Sequence, residues 1–175
     1  MEHPSSNTAI RPGSYSPQFL SPAQYATLAR LTDIILPPES NNGDMRSAGA
    51  VQAGVPEFID FMLVHDSAIQ YPFRIGLTWI DARSSELYQK PFLALSEDQQ
   101  VMLLRPLAYS SEFKPGQEDG RAFFKLLRKY TVIGFYTSRT GMEQLGSPGL
   151  KFYTESPGCP HQDDPEHNHL PVPLT

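Results

Sequence analysis

The positions of the prolines divide this sequence into a regular middle and two irregular ends. Most of the 17 prolines lie in the first 22 residues, between Leu36 and Pro56, or after Gly146. Because proline lacks a backbone N–H and clashes with the preceding turn, long helices are expected where prolines are sparse. The distribution therefore predicts a helical middle flanked by irregular segments.

Size and charge restrict the class of protein. With 175 residues, 39% of them hydrophobic, the chain is expected to form one domain around one core. A net charge of -5 gives no reason to expect nucleic acid or an anionic membrane as a partner, because both are bound through clustered cations. No apolar run approaches the roughly 20 residues that span a bilayer. We expect a soluble chain without a direct membrane span.

Five segments have the start signals and apolar spacing of helices. The expected starts are Pro22, Pro56, Pro72, Ser96 and Asp119. Two apolar faces are predicted to be buried, and their members are Phe73, Leu77, Ile80 and Leu87 in the third helix, and Val101, Leu103, Leu104 and Leu107 in the fourth. Asp119 is predicted to cap the fifth helix, which is the most hydrophobic of the five.

The pattern predicts a mainly α fold, an irregular helical bundle with long loops and an extended C-terminal tail. Residues 1–20 are expected to be a flexible N-terminal segment, residues 21–146 the helical domain, and residues 147–175 an extended tail rich in proline and histidine. The turn-like pair Asn42-Gly43 lacks flanking alternation of apolar residues, so a sheet has little support.

The segment KYTVIGFYTSRTG passes from an apolar helix into small polar residues. One interpretation is that Tyr136, Thr137, Ser138 and Arg139 offer hydrogen-bonding groups to the surface of a partner. The other is that Thr137, Ser138 and Gly141 end this helix and cap a short one at Met142 to Leu145. The two interpretations are compatible with each other.

No catalytic motif is visible in the sequence. The Gly-x-Ser-x-Gly nucleophile motif, a glycine-rich dinucleotide fingerprint and a phosphate-binding loop are all missing. We therefore predict no catalytic residue and no cofactor bound by this chain alone. A cofactor, if the function needs one, is expected to belong to another chain.

The tail sequence CPHQDDPEHNH offers the strongest group of metal-ligating side chains, namely Cys159, His161, His167 and His169. Their spacing is not the paired arrangement of a structural zinc site, so the prediction is no metal site. A small metal-binding protein or metal-dependent enzyme using these four residues stays as an alternative. Cys159 is the only cysteine, which leaves a bond to a partner as its one route to a disulfide.

The order of the segments LSPAQYATLARLTDIILPPE, GVPEFIDFML, GLTWID, LSEDQQVMLL and AFFKLLRKYTVIGFYTSRTGMEQLG resembles the gluconate 2-dehydrogenase subunit 3 family. The resemblance covers about Leu20 to Gly146 and depends on the order of the segments, since none is strongly specific alone. It implies a non-catalytic small subunit that stabilises, matures or helps export a large flavoprotein.

The resemblance also implies the partners. The large subunit would be a sugar dehydrogenase of the glucose-methanol-choline (GMC) type that holds FAD, and a cytochrome c subunit often accepts the electrons in this family. Contacts to the partner are expected at Tyr136, Thr137, Ser138, Arg139 and Cys159. Family members commonly carry a twin-arginine signal that this sequence lacks, so the expected location is cytoplasmic, or periplasmic if the partner carries the signal. After the small subunit and the metal-binding protein, a free-standing helical binding module is the third hypothesis for the function.

Overall fold

The computed structural model describes residues 15–41 and 44–146. Six α-helices account for most of these residues, which confirms the prediction of a mainly α fold. The helices are α1 (Pro22–Ile35), α2 (Val55–His65), α3 (Ser67–Tyr88), α4 (Glu97–Ala108), α5 (Glu118–Thr137) and α6 (Arg139–Gln144). Short 3₁₀ turns at Phe92–Ala94 and Ser110–Glu112 precede and follow α4.

Two helices begin at capping boxes that the sequence encodes. Ser21 Oγ accepts from the Gln24 N–H at 3.3 Å, and the Gln24 side chain accepts in return from the Ser21 N–H at 3.1 Å. Ser96 and Gln99 repeat the arrangement at the start of α4, where the sequence predicted a helix to begin. Each box satisfies donors that the first turn of a helix cannot pair internally.

One helix start and one helix cap were predicted wrongly. Helix α3 begins at Ser67 rather than Pro72, because the Asp66 side chain accepts from the Ala68 N–H and caps it, and Pro72 is accommodated inside the helix. Helix α5 begins at Glu118, so Asp119 lies in its first turn and does not cap it. An acid in the first turn still stabilises a helix through the positive end of its dipole.

Part of the segment after α1 is ordered as a short antiparallel hairpin, contrary to the sequence prediction. Strand β1 (Glu39–Asn41) pairs with β2 (Asp44–Ser47), with Asn41 opposite Asp44. The two connecting residues lie outside the described ranges. Since Asn-Gly is a preferred two-residue hairpin connection, the pair itself was a usable signal even without alternating apolar neighbours.

The core is built around α5, which contacts every other helix. Phe73 of α3 is fully buried and makes edge-to-face contacts with the rings of Phe123 and Tyr130, at centroid distances of 5.6 Å and 6.0 Å. Leu87, expected on the buried face of α3, is exposed. These aromatic contacts hold α5 at the centre of the bundle. The side of α5 that is turned away from Phe73 faces outward.

Helices α3 and α5 approach closely because each places a glycine under an aromatic ring of the other. A Cβ added at Gly76 of α3 would collide with the Phe123 ring, and one added at Gly120 of α5 would lie 2.5 Å from Trp79 Cζ3. Both glycines are buried. Larger side chains at either position would therefore force the two helices apart.

The described part of the N-terminal segment, residues 15–20, lies on α2 and is held by one carboxylate. Asp60 is fully buried and accepts hydrogen bonds from the Tyr15 hydroxyl at 2.7 Å and from three successive backbone N–H groups at Gln18, Phe19 and Leu20. A buried carboxylate needs such partners, because an unpaired one is costly to desolvate. Asp60 therefore fixes the path by which the chain enters α1.

Candidate functional site

A groove of about 550 Å³ lies where the end of α1 meets α4, the 3₁₀ turn after α4, and α5. Its floor and walls are mainly apolar, and charged groups lie at its rim. The lining residues are Ile34, Ile35, Val101, Leu104, Arg105, Ala108, Tyr109, Ser111, Glu112, Phe124 and Arg128. Its volume falls within the range of about 300–1,000 Å³ that is common for binding sites.

Two helices of the groove are tied together by Arg30 of α1. Its Nε donates to the Gln100 side chain at 2.7 Å, and its Nη2 lies 3.2 Å from the Glu97 carboxylate. Gln100 is buried and in turn donates to the Phe92 carbonyl at 3.0 Å. A buried amide with both ends paired holds α1 against α4, and the groove is the gap beside this contact.

The sequence prediction for α4 was wrong at one residue of the groove. Val101 was placed on the buried face with Leu103, Leu104 and Leu107, but its side chain is 43% exposed. It shares a face with Arg105 and Ala108, which follow at intervals of four and three residues. The exposed apolar side chain of Val101 is the signal for the groove in the sequence. The helical spacing had predicted it to be part of the core.

The rim of the groove carries one arginine that pairs with a carboxylate and one that has no such partner among the described residues. Arg105 Nε lies 2.8 Å from Glu112 Oε1, with both groups substantially exposed. Among the described side chains, no carboxylate lies within ion-pairing distance of Arg128. An exposed ion pair contributes about 0–1 kcal/mol to stability, so the contact between Arg105 and Glu112 adds little to the stability of the fold.

The groove continues into the segment that the sequence predicted as a partner contact. Arg128, Val132 and Tyr136 follow one another at intervals of four residues, so they share one face of α5. Val132 is 41% exposed and Tyr136 is 45% exposed. Tyr136 lies about 12 Å along the helix axis from Arg128, at 1.5 Å per residue. We call Arg128, Val132 and Tyr136, together with the groove, the α4–α5 face.

The residues after Tyr136 end one helix and begin the next. The Thr137 hydroxyl donates to the Ile133 carbonyl at 2.7 Å, and Ser138 Oγ accepts from the Gly141 N–H at 3.0 Å as the N-cap of α6. Arg139 is exposed and pairs with Glu143 at 2.8 Å. The capping interpretation of Ser138 is thus confirmed, but the short helix begins at Arg139 and not at the predicted Met142. The role of Tyr136, Thr137, Ser138 and Arg139 in partner contact stays a prediction.

The other predicted site residues fall outside the described ranges. Cys159, His161, His167 and His169 all lie in the C-terminal tail, so the metal alternative stays a prediction. Within residues 15–41 and 44–146, no group of three or more His, Cys, Asp and Glu side chains is arranged to hold a metal ion. No helix in those ranges is long and apolar enough to cross a membrane.

Comparison with known proteins gives one match. The family model described as gluconate 2-dehydrogenase subunit 3 matches residues 22–158, and the chain therefore belongs to this family. The match begins at the first residue of α1 and includes the whole α4–α5 face. It also extends twelve residues past Gly146, where the resemblance seen in the sequence ended. No curated protein and no solved structure shows a significant match.

Proposed function

We propose that this chain is the non-catalytic small subunit of an FAD-dependent sugar dehydrogenase, and that it stabilises or matures a large flavoprotein of the GMC type. The observation that carries the proposal is membership, over residues 22–158, in a family described as a dehydrogenase subunit. In this proposal the large subunit holds FAD and performs the oxidation, and the small subunit supplies a binding surface.

The apolar character of the exposed α4–α5 face also supports the proposal. Tyr109, Val132 and Tyr136 are large apolar or aromatic side chains exposed on it, beside a groove with an apolar floor. Exposed apolar surface next to a concave site is typical of protein–protein interfaces, and aromatic residues are enriched at their centres. A second subunit would remove this surface from water.

The proposal is tested by expressing the chain together with a GMC-type large subunit from the same organism. We expect co-elution in size exclusion with flavin absorbance in the same peak, and loss of soluble flavoprotein when this chain is omitted. Separate elution, with dehydrogenase activity unchanged by omission, would contradict the proposal.

The surface is tested by a matched pair of variants. Val132→Asp places a charge in the middle of the α4–α5 face and is expected to weaken the complex at least tenfold, because a charge buried at an interface without a partner is strongly unfavourable. Leu87→Asp makes the same change at an exposed position of α3 that does not line the groove. Equal effects of the two variants would exclude this face as the contact surface.

A further inference from the structure

The outward side of α5 is basic in a chain that is acidic as a whole. The sequence carries 14 lysines and arginines against 19 aspartates and glutamates. Four of the cations, Arg121, Lys125, Arg128 and Lys129, lie within nine consecutive residues of α5 that contain no acid. The helix therefore places a local positive field beside the groove, which the net charge of the chain does not predict.

Some of these cations have partners among the described residues and some do not. Arg121 lies over the Phe113 ring at 4.5 Å and donates to Ser110 Oγ at 2.7 Å. The carboxylate of Glu112 is neutralised by Arg105. Arg128 and Lys125 have no carboxylate within ion-pairing distance among the described side chains. Within the described part of the chain, their charges are therefore not neutralised by a carboxylate.

The floor of the groove is apolar; Arg128 lines the groove, and Lys125 lies three residues earlier on α5 without lining it. Ile35 of α1, Leu104 of α4 and Phe124 of α5 all line the groove, and each belongs to a different helix. Covering apolar surface is favourable by about 25 cal/mol per Å². An occupant that matches this site needs an apolar side for the floor and negative charge for the α5 rim.

We infer that the groove binds a segment of the large subunit that is apolar on one side and carries carboxylates facing Arg128 and Lys125. The inference depends on the proposed function, since it names the chemistry of the partner at the same face. Carboxylates suit Arg128 because the guanidinium presents two parallel N–H donors that match their geometry. Opposite charges across an interface also accelerate association and fix the orientation of the partner.

The test compares a charge series in the complex obtained by co-expression with the GMC-type large subunit. The variants are Arg128→Lys, Arg128→Gln and the double variant Lys125→Glu with Arg128→Glu. Lys90→Glu is the control, because Lys90 is exposed just after α3 and does not line the groove. Dissociation of each complex is measured by mass photometry on dilution, at low and at high salt.

The expected order of Kd is wild type and Lys90→Glu lowest, then Arg128→Lys, Arg128→Gln and the double variant. The double variant should bind about tenfold more weakly or worse at low salt. Raising the salt should not increase its Kd as it does for the wild type, because the new glutamates repel the carboxylates and salt screens that repulsion. If the double variant forms no complex while the Arg128→Lys variant still forms one, this result also supports the inference.

A complex that forms equally well with every variant, with the same salt response, would overturn the inference and leave the proposed function standing. The inference also fails if Lys90→Glu weakens the complex as much as the double variant, because the effect would then reflect net charge alone. If the wild-type chain forms no complex with the flavoprotein, the proposed function fails first and the inference falls with it.

Discussion

The Tyr15 hydroxyl donates to the Asp60 carboxylate at 2.7 Å, across 45 residues of chain. The same carboxylate receives three backbone N–H groups of the segment between Tyr15 and α1. One buried side chain thus connects the beginning of the described chain to the middle of α2. Removing its carboxylate should therefore lower the free energy of unfolding of the whole fold.

Asp60→Asn should destabilise the protein by about 2–4 kcal/mol, because the amide retains one acceptor oxygen and places two N–H donors against backbone N–H groups. The measurement is chemical unfolding followed by circular dichroism. Asp98→Asn, at an exposed position in the first turn of α4, is the control and should cost well under about 1 kcal/mol. Equal losses in the two variants would show that Asp60 is not an anchor.

Gly76→Ala should destabilise the protein by about 1–3 kcal/mol, although alanine is the better helix former, because the new methyl collides with the Phe123 ring. Ser85→Ala, at an exposed position of the same helix, should be neutral or slightly stabilising. The comparison is made by thermal and denaturant unfolding. A stabilised Gly76→Ala would mean that α3 and α5 are free to separate.

Alkaline pH should destabilise the fold through Tyr15 and Tyr25. Burial raises the pKa of both hydroxyls above the usual value near 10, and the carboxylates of Asp60 and Glu57 raise it further. Above about pH 10 the unfolded chain releases protons that the folded chain retains, so stability present below that pH is lost as the pH rises.

This pH dependence is measured as the free energy of unfolding between neutral pH and about pH 11. The double variant Tyr15→Phe with Tyr25→Phe should lose less stability over the alkaline part of that range than the wild type. Tyr71→Phe, at a position that is 73% exposed, serves as the control and should follow the wild type. Parallel curves for all three proteins would refute the assignment to Tyr15 and Tyr25.

Ser138→Ala should cost about 0.5–1 kcal/mol, because the Gly141 N–H loses its acceptor at the start of α6. Ser138→Asp keeps a capping oxygen and should be close to the wild type in stability. Both variants are also tested for complex formation with the large subunit. A defect in binding that Ser138→Asp shares, without loss of stability, would point to direct contact by the hydroxyl.

The sequence predicted the helices well because their signals are local. Capping boxes, prolines and apolar spacing act within one or two turns, so the starts at Pro22 and Ser96 agree with the structure to within a residue. The start of α3 was missed because proline at the first position is only a preference, and the short side chain of Asp66 supplied a better cap upstream.

The groove could not be derived from local signals. It depends on how α1, α4 and α5 lie against one another, and this arrangement is fixed by long-range contacts such as Arg30 with Gln100. Asp60 was a detectable signal that was overlooked, since one acid within the apolar run FIDFML predicts either a buried partner set or an exposed face. Asp60 is buried because residues 15–20 supply its hydrogen-bond donors. No pattern in the sequence indicates that these residues contact α2.

The interlocked glycines and rings of α3 and α5 have a consequence for association. A slide of either helix by one residue would drive a side chain into Phe123 or Trp79, so only one alignment of the pair is open to the chain. The outward face of α5 is consequently held in one orientation before any partner arrives. Binding to a preorganised surface loses less conformational entropy, so more of the contact energy remains as affinity.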